Sequence, residues 1–326
     1  MEVCGTHTHA IAKSGLGAML AGKINFISGP GCPVCVSAQS DIDNMVAIAL
    51  QPGVIITTFG DMLRVPGTKI SLRDAGAKGA DIRVLYNPLD ALDTALENPG
   101  KKIISLAVGF ETTAPLIAAC VLQAKKLKIK NFYVYCCLKT IAPALKIILG
   151  EKNNIDGFLL PGNVCVITGY EEFNFISSEY KKPAVAAGFS AAEILKAAQL
   201  LLDAKKPQTQ NAYTWASAAG NKNAQKIIKK VFRKADGRWR GFGIIKNSSQ
   251  ELKKDFADFD AKKIFKLKTA GGQPSKCRCA LILKGKIKPS GCPYFGKACT
   301  PVKPLGPCMV SVEGACAAAY NNLWTQ

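Results

Sequence analysis

The sequence predicts an α/β protein: two tandem parallel-sheet domains followed by a small, irregular, cysteine-rich unit at the carboxyl end. Three observations carry this. From Ile24 onward, short apolar runs alternate with segments of helical periodicity, the pattern of parallel strands covered by helices. The 326 residues are enough for two or three compact units, each with its own core. Past Ala270 the alternation stops and cysteines arrive every few residues.

Strands are expected at residues 24–28, 54–58, 82–86 and 103–108, and in a second series at 132–137, 157–160 and 184–187, with a less regular run at 243–246. Between them, residues 40–50, 88–96, 113–127, 141–149 and 191–204 carry apolar side chains at helical spacing. Both series contain a strand that runs into a Pro/Gly turn and then a cysteine, ending in Gly29-Pro30-Gly31-Cys32 and Pro161-Gly162-Asn163-Val164-Cys165. Such turns lie at the carboxyl ends of strands, where open α/β sheets place their ligand crevices. The expected arrangement is two tandem parallel-sheet α/β domains facing a central cleft, residues 1–109 and 110–206. Residues 207–269, with a Lys-rich helical stretch at 223–234, read as a return connection packed over them. Gly271, Gly272 and Pro274 then break the chain into a tail, 270–326, too small to fold without a staple.

Forty-eight per cent of the residues are hydrophobic, an ordinary value for a globular protein. The amino terminus has neither the basic start nor the apolar run of a secretion signal, and no apolar stretch approaches 18 residues, so a cytoplasmic location is expected. Thirteen cysteines in that compartment point to metal or redox chemistry rather than to a disulfide framework. The formal charge of +20 is mostly lysine spread along the chain, which reads first as a solvated surface and second as a docking face for an acidic protein.

The tail holds Cys277, Cys279, Cys292, Cys299, Cys308 and Cys316 and no histidine. Structural zinc usually takes paired Cys-x-x-Cys knuckles, which this segment lacks; four thiolates from separated loop positions suit an iron–sulfur cubane better. Lys276, Arg278, Lys284, Lys286, Lys288, Lys297 and Lys303 surround them, with Glu313 the only acid, and cations of this kind stabilise an anionic cluster. Upstream, Cys32-Pro33-Val34-Cys35 precedes an expected helix starting near Ser37, whose amino end would lower the thiol pKa and favour a reversible disulfide. Cys4-Gly5-Thr6-His7-Thr8-His9 holds the only two histidines, a thiol and two imidazoles fit for a soft metal site or a nucleophile beside its base. In Gly109-Phe110-Glu111-Thr112-Thr113, a threonine can cap the next helix while Glu111 faces the crevice. Cys120, Cys136 and Cys137 sit in apolar runs and read as buried fillers, and Cys165 is open to either reading. The chain has no Walker-type loop, no Gly-x-Gly-x-x-Gly after a strand and no Cys-x-x-x-Cys-x-x-Cys, so ordinary P-loop and radical chemistries lose motif support.

Residues 1–9 (MEVCGTHTH), 29–35 (GPGCPVC), 109–115 (GFETTAP) and the tail from Cys277 (CRCALILKGKIKPSGCPYFGKACTPVKPLGPCMVSVEGACAAAY) together resemble the HypD family of hydrogenase maturation factors, from the first residue to the tail. The resemblance implies a scaffold for assembling the Fe(CN)2CO group of NiFe-hydrogenases, working with a HypC-type iron chaperone and a HypE-type cyanide donor. It implies that Cys4 holds the transient iron with His7 and His9 close by, and that Cys32 and Cys35 serve thiol redox chemistry. It further implies a 4Fe-4S cluster on Cys277, Cys292, Cys299 and Cys316, with Cys279 and Cys308 left as a pair able to form a disulfide.

Two departures accompany the resemblance. The chain begins almost on its first motif, where family members usually carry a further segment, so Cys4 is expected to be loosely held. Asn163 stands where the family commonly has a histidine after the second turn, so a proton-transfer role there does not carry over. Two other readings stay open: a stand-alone iron–sulfur thiol oxidoreductase, and a zinc-stapled basic nucleic-acid-binding module.

Overall fold

The computed structural model describes residues 1–265 and 276–323. The expected breakers at Gly271, Gly272 and Pro274, and the expected boundary at Ala270, lie outside those residues. The strands, in chain order, are β1 Val54–Thr58, β2 Asp81–Val84, β3 Lys102–Gly109, β4 Phe132–Leu138, β5 Phe158–Pro161, β6 Ala184–Ala187, β7 Thr209–Asn211, β8 Phe232–Trp239 and β9 Gly243–Leu252. The chain divides into two compact units woven from separate segments. Residues 1–36, 141–222 and the described tail form the first, and residues 37–140 with 223–265 form the second.

The second unit holds a four-stranded parallel sheet in the order β2-β1-β3-β4. Its strands read as near-continuous apolar runs because helices cover both faces of such a sheet. All of β1 is buried, as is β3 after its first residue. Helix Gln39–Ala49 leads into β1, and helices Leu72–Ala77, Asp90–Glu97 and Ala114–Lys126 connect the strands. Ser71 starts one of them with a reciprocal bond to Asp74, satisfying donors that the first turn leaves open. Ile55, Ile103, Ile117, Val121 and Phe132 form the core, and Val231, Phe232 and Phe256 join it from the later segment.

Here the expected domain division fails. The strand at 132–137 was expected to open a second domain, yet β4 pairs with β3, Leu106 opposite Tyr135, so a boundary at residue 109 would cut through a sheet. The expected return connection is likewise shared out. β7 completes the sheet of the first unit, whereas helix Lys222–Val231 leads into the antiparallel hairpin β8–β9 of the second. Strand pairing, which linear order does not record, decides both cases.

The first unit is built on the parallel sheet β5-β6-β7, with Leu159 beside Val185 and Val185 beside Gln210. The amino terminus lengthens it: Leu159 donates its N–H to Met1 O at 2.9 Å, and Val3 donates back to Leu159 O at 3.2 Å. Glu2 in turn donates to Ile27 O at 2.9 Å and accepts from Gly29 N–H at 2.7 Å. The strand expected at 24–28 is thus reduced to one parallel bridge, Ser28 with Glu2. Pro30, lacking an N–H, ends that line at once. Ile11, Leu16, Leu159, Val185 and Ile194 form this unit's core. The tail is no separate domain, since helix Ala315–Leu323 packs against helix Gly5–Lys13. Among the described residues no helix is long and apolar enough to cross a membrane.

Candidate functional site

Because residues 1–3, 27–29, β5 and β6 run parallel, the segments after them emerge at one end of the sheet. Those segments are Cys4, the Gly29-Pro30-Gly31-Cys32 turn, the Gly162 turn and Gly188. Gly31 is pressed so closely on the backbone of Cys4 that a Cβ there would sit 2.2 Å from the Cys4 nitrogen. Gly5 donates its N–H to Gly31 O at 3.0 Å, and the Cys4 amide donates to Glu2 Oε2 at 3.1 Å. Cys4 is therefore firmly held, against the expectation from the short amino terminus.

Cys4 caps helix Gly5–Lys13 in an extended conformation. Burial pushes its thiol up to about 11, while the Thr6 hydroxyl and the Thr6 and His7 amides draw it down. Those open amides at the helix start suit a thiolate once its proton is lost.

His7 and His9 do not share a site. Two positions apart on a helix, they point to different faces; His7 is fully buried and His9 is exposed. The expected three-donor group of Cys4, His7 and His9 is corrected accordingly, and among the described residues no three His, Cys, Asp or Glu side chains are spaced to hold a single metal ion. Burial pushes His7 down to about 4, so its ring is neutral at pH 7. Nε2 lies 2.8 Å from Gly188 O and so carries the proton, leaving a buried Nδ1 with no hydrogen-bond partner.

Cys32 and Cys35 are buried, and the helix they open, Pro33–Val36, is a single turn followed by a separate helix from Gln39. Cys35 is hydrogen-bonded to both Cys32 and Cys308, and Cys308 to both Cys35 and Cys279. Four buried thiols thus follow one another as neighbours, Cys32, Cys35, Cys308 and Cys279. The bond from Cys308 favours a Cys35 thiolate, but the bond with Cys32 and burial together hold the Cys35 thiol well above its ordinary range. A one-turn dipole does not offset that burial, which corrects the expected pKa-lowering helix end. Cys279 and Cys308 are neighbours as expected, though they continue the Cys32–Cys35 series instead of forming a pair apart, and no disulfide joins any of the thirteen cysteines.

The other tail thiols interact among themselves. Cys316 feels Cys277, Cys299, Cys279 and Cys292, Cys299 feels Cys277 and Cys292, and Cys308 feels Cys316, so this group adjoins the first one at Cys279 and Cys308. Burial raises the Cys316 and Cys299 thiols first, and the neighbouring sulfurs raise them further, so four thiolates would repel without a cation to share. Leu305 N–H donates to Cys299 Sγ at 3.3 Å, and Gly306 leaves no room beyond Cys277 Sγ, 2.2 Å from where its Cβ would lie. These are features of a thiolate cradle and fit a cubane. One zinc needs sulfurs within about 4 Å of one another, whereas a cubane spreads four thiolates over four irons.

Glu111 is buried just past β3, in the second unit. Cys120, Cys136 and Cys137 are buried in that unit, as expected of fillers, with Cys136 Sγ donating to Gln250 O at 3.0 Å.

A family model called HypD, described as "Hydrogenase formation hypA family", matches residues 1–323. The chain belongs to the HypD family. It is 44% identical to the hydrogenase maturation factor HypD of Escherichia coli K12 over 330 residues, covering 98% of this chain and 88% of that protein. It is 40% identical to the proteins of the same description from Azotobacter vinelandii and Rhodobacter capsulatus, at the same coverage.

Two residues of this HypD-family site escaped the sequence reading. Glu2 is 2% exposed, accepts from Thr8 Oγ1 at 2.5 Å, and is pushed up to about 7 by burial. Glu313, from the tail, accepts from Thr6 Oγ1 at 2.6 Å, and Gly5 has no Cβ because Glu313 fills that space. Only the adjacency of Glu2 to the Cys4 motif could have drawn attention to it. Asn163 accepts from Tyr213 Oη at 3.3 Å; Tyr213 meets Phe189 edge-on, and Phe189 lies 4.8 Å from the His7 ring.

Proposed function

We propose that the chain is a redox-active hydrogenase maturation scaffold, on which the Fe(CN)2CO group of NiFe-hydrogenases is built with a HypC-type iron chaperone and a HypE-type cyanide donor. The observation that carries the reading is the gathering, in one unit of a HypD-family chain, of Cys4, the four-thiol series and the second set of four cysteines. Cys277, Cys292, Cys299 and Cys316 would hold the resident 4Fe-4S cluster, which when bound supplies one-electron chemistry.

The chain's own residues divide the remaining work. Cys4 ligates the incoming iron, losing its proton as it does so, and the Thr6 and His7 amides offset the thiolate charge. Neutral His7, three positions on in the same helix and oriented by Gly188 O, keeps Nδ1 unprotonated as a buried acceptor. Cys32, Cys35, Cys308 and Cys279 take up or give two electrons as a thiol pair and a disulfide exchange along the series. His9, being exposed, has no part in holding the iron and lies where a partner protein reaches it.

Anaerobic purification followed by iron and acid-labile sulfide analysis tests the reading. About four irons and four sulfides per wild-type chain, lost in Cys292→Ala, are expected. Zinc without sulfide in wild-type protein would overturn it. Co-purification with a HypC-type protein, lost in Cys4→Ala, is the expected second result; turnover of a small thiol substrate by the chain alone would favour the oxidoreductase reading.

A further inference from the structure

Among the described residues the cysteine-rich tail carries five cations outside any ion pair: Lys288, and four around Cys277 and Cys299. Lys276 and Arg278 flank Cys277, Lys297 sits in the turn closed by Lys297 N–H to Tyr294 O, and Lys303 sits in the next turn, where Thr300 N–H meets Lys303 O. All four are exposed, and none enters an ion pair among the described residues. Lys284 and Lys286 behave differently, reaching Glu151 at 2.6 and 3.6 Å. Glu313, the only acid in the described tail, is occupied by Thr6.

The three segments meet at the same sulfurs. The turn at Lys303 leads into Leu305 and Gly306, which touch Cys299 and Cys277, and the turn at Lys297 leads into Cys299. Val302, next to Lys303 in its turn, is 96% exposed, and Cys277 and Cys292 are only partly buried. Uncompensated like charges at close quarters oppose folding, so their retention around a pair of accessible thiols calls for a partner of opposite sign. Exposed cations together with an exposed apolar side chain match the small, charge-steered encounters of electron-transfer proteins. Nucleic-acid surfaces interleave cations with free aromatic faces; here Phe295 is engaged edge-on with Tyr320 at 6.1 Å.

We propose that this face docks a small acidic electron-transfer protein over the Cys277–Cys292 edge. The inference rests on the iron–sulfur reading above. In the transfer the donor loses one electron and the group held by Cys277, Cys292, Cys299 and Cys316 gains it, with no bond formed or broken and no proton moved. The four cations offset the added negative charge.

The test uses anaerobically purified, iron-loaded chain and an acidic plant-type 2Fe-2S ferredoxin as probe. Calorimetric binding of the oxidised ferredoxin is expected to weaken about tenfold or more between 50 and 300 mM salt. Lys297→Glu combined with Lys303→Glu is expected to weaken binding, and to slow stopped-flow reduction by reduced ferredoxin, about tenfold or more. Uncharged photoreduced deazaflavin should reduce the variant as fast as wild type, which separates docking from damage to the site. No ferredoxin binding, or binding unchanged in the variant, overturns the proposal. So does duplex-DNA binding that the variant loses while ferredoxin binding survives. A wild-type chain without iron and sulfide removes the maturation reading, and this inference with it, before any ferredoxin is added.

Discussion

Glu2 and His7 are buried within a few residues of Cys4 and respond to acid in opposite senses. Burial raises the Glu2 carboxyl from 4.5 to about 7, so between those values the folded chain binds a proton that the unfolded chain has released. Stability from this group is complete below pH 4.5 and is lost as pH rises through about 7. At about 1.4 kcal/mol for each tenfold change in proton affinity, the loss is about 3 kcal/mol. His7 is held down from 6.5 to about 4 by burial, so its contribution is complete above pH 6.5 and falls by a similar amount as pH drops toward 4. The Met1 amino group, lowered by burial to about 6, adds a loss of the same sign as His7 between pH 8 and 6. Glu2 therefore counterweights His7 across the acid range. In Glu2→Gln that counterweight is gone: relative to wild type, the variant should gain about 3 kcal/mol in stability between pH 4.5 and pH 7.5. Urea unfolding of reduced, iron-free protein at half-unit pH steps measures this directly. Parallel pH profiles for the two proteins would show that Glu2 ionises in the fold as it does in water, and would refute the reasoning.

Other perturbations read the remaining contacts. Gly31→Ala drives a Cβ into the backbone of Val3 and Cys4 and should cost about 2 kcal/mol or more, seen as a lower urea midpoint at unchanged slope. Gly306→Ala pushes on Cys277 Sγ and should lower iron and sulfide content while leaving the far-ultraviolet dichroism intact; full iron loading would mean that Cys277 is not a ligand. Arg240→Ala removes a buried guanidinium that donates to Ser37 O at 2.8 Å and Gln39 Oε1 at 2.6 Å, a loss of about 3 kcal/mol, and Arg240→Lys should not restore it in thermal melts. Mild diamide oxidation should link only neighbours in the thiol series, Cys32–Cys35, Cys35–Cys308 or Cys279–Cys308, by non-reducing peptide mapping; a bridge to Cys165 or Cys120 would contradict the geometry.

The sequence by itself determined most of the parallel strands, the longer helices and the inventory of chemistry, but not the bridge at Ser28 or strands β7 and β8. Runs such as Val54–Thr58 and Ala184–Ala187 are legible because strands buried on both faces are largely apolar and carry no charge, and helices such as Ala191–Leu202 because their apolar stripe repeats every turn. The cysteine motifs were legible for the same local reason: their spacing is written along the chain. What pairs with what is set by contacts between residues far apart in sequence, and only the tertiary structure decided it. β4 joined β3 across the expected domain boundary, and Cys308 came to lie beside Cys35 although 272 other residues separate them. Burial, too, is a property of the folded whole. It divided two histidines that stand two positions apart, turned Glu2 from an unremarked acid into a titrating group, and set the Cys35 thiol against the helix end expected to activate it.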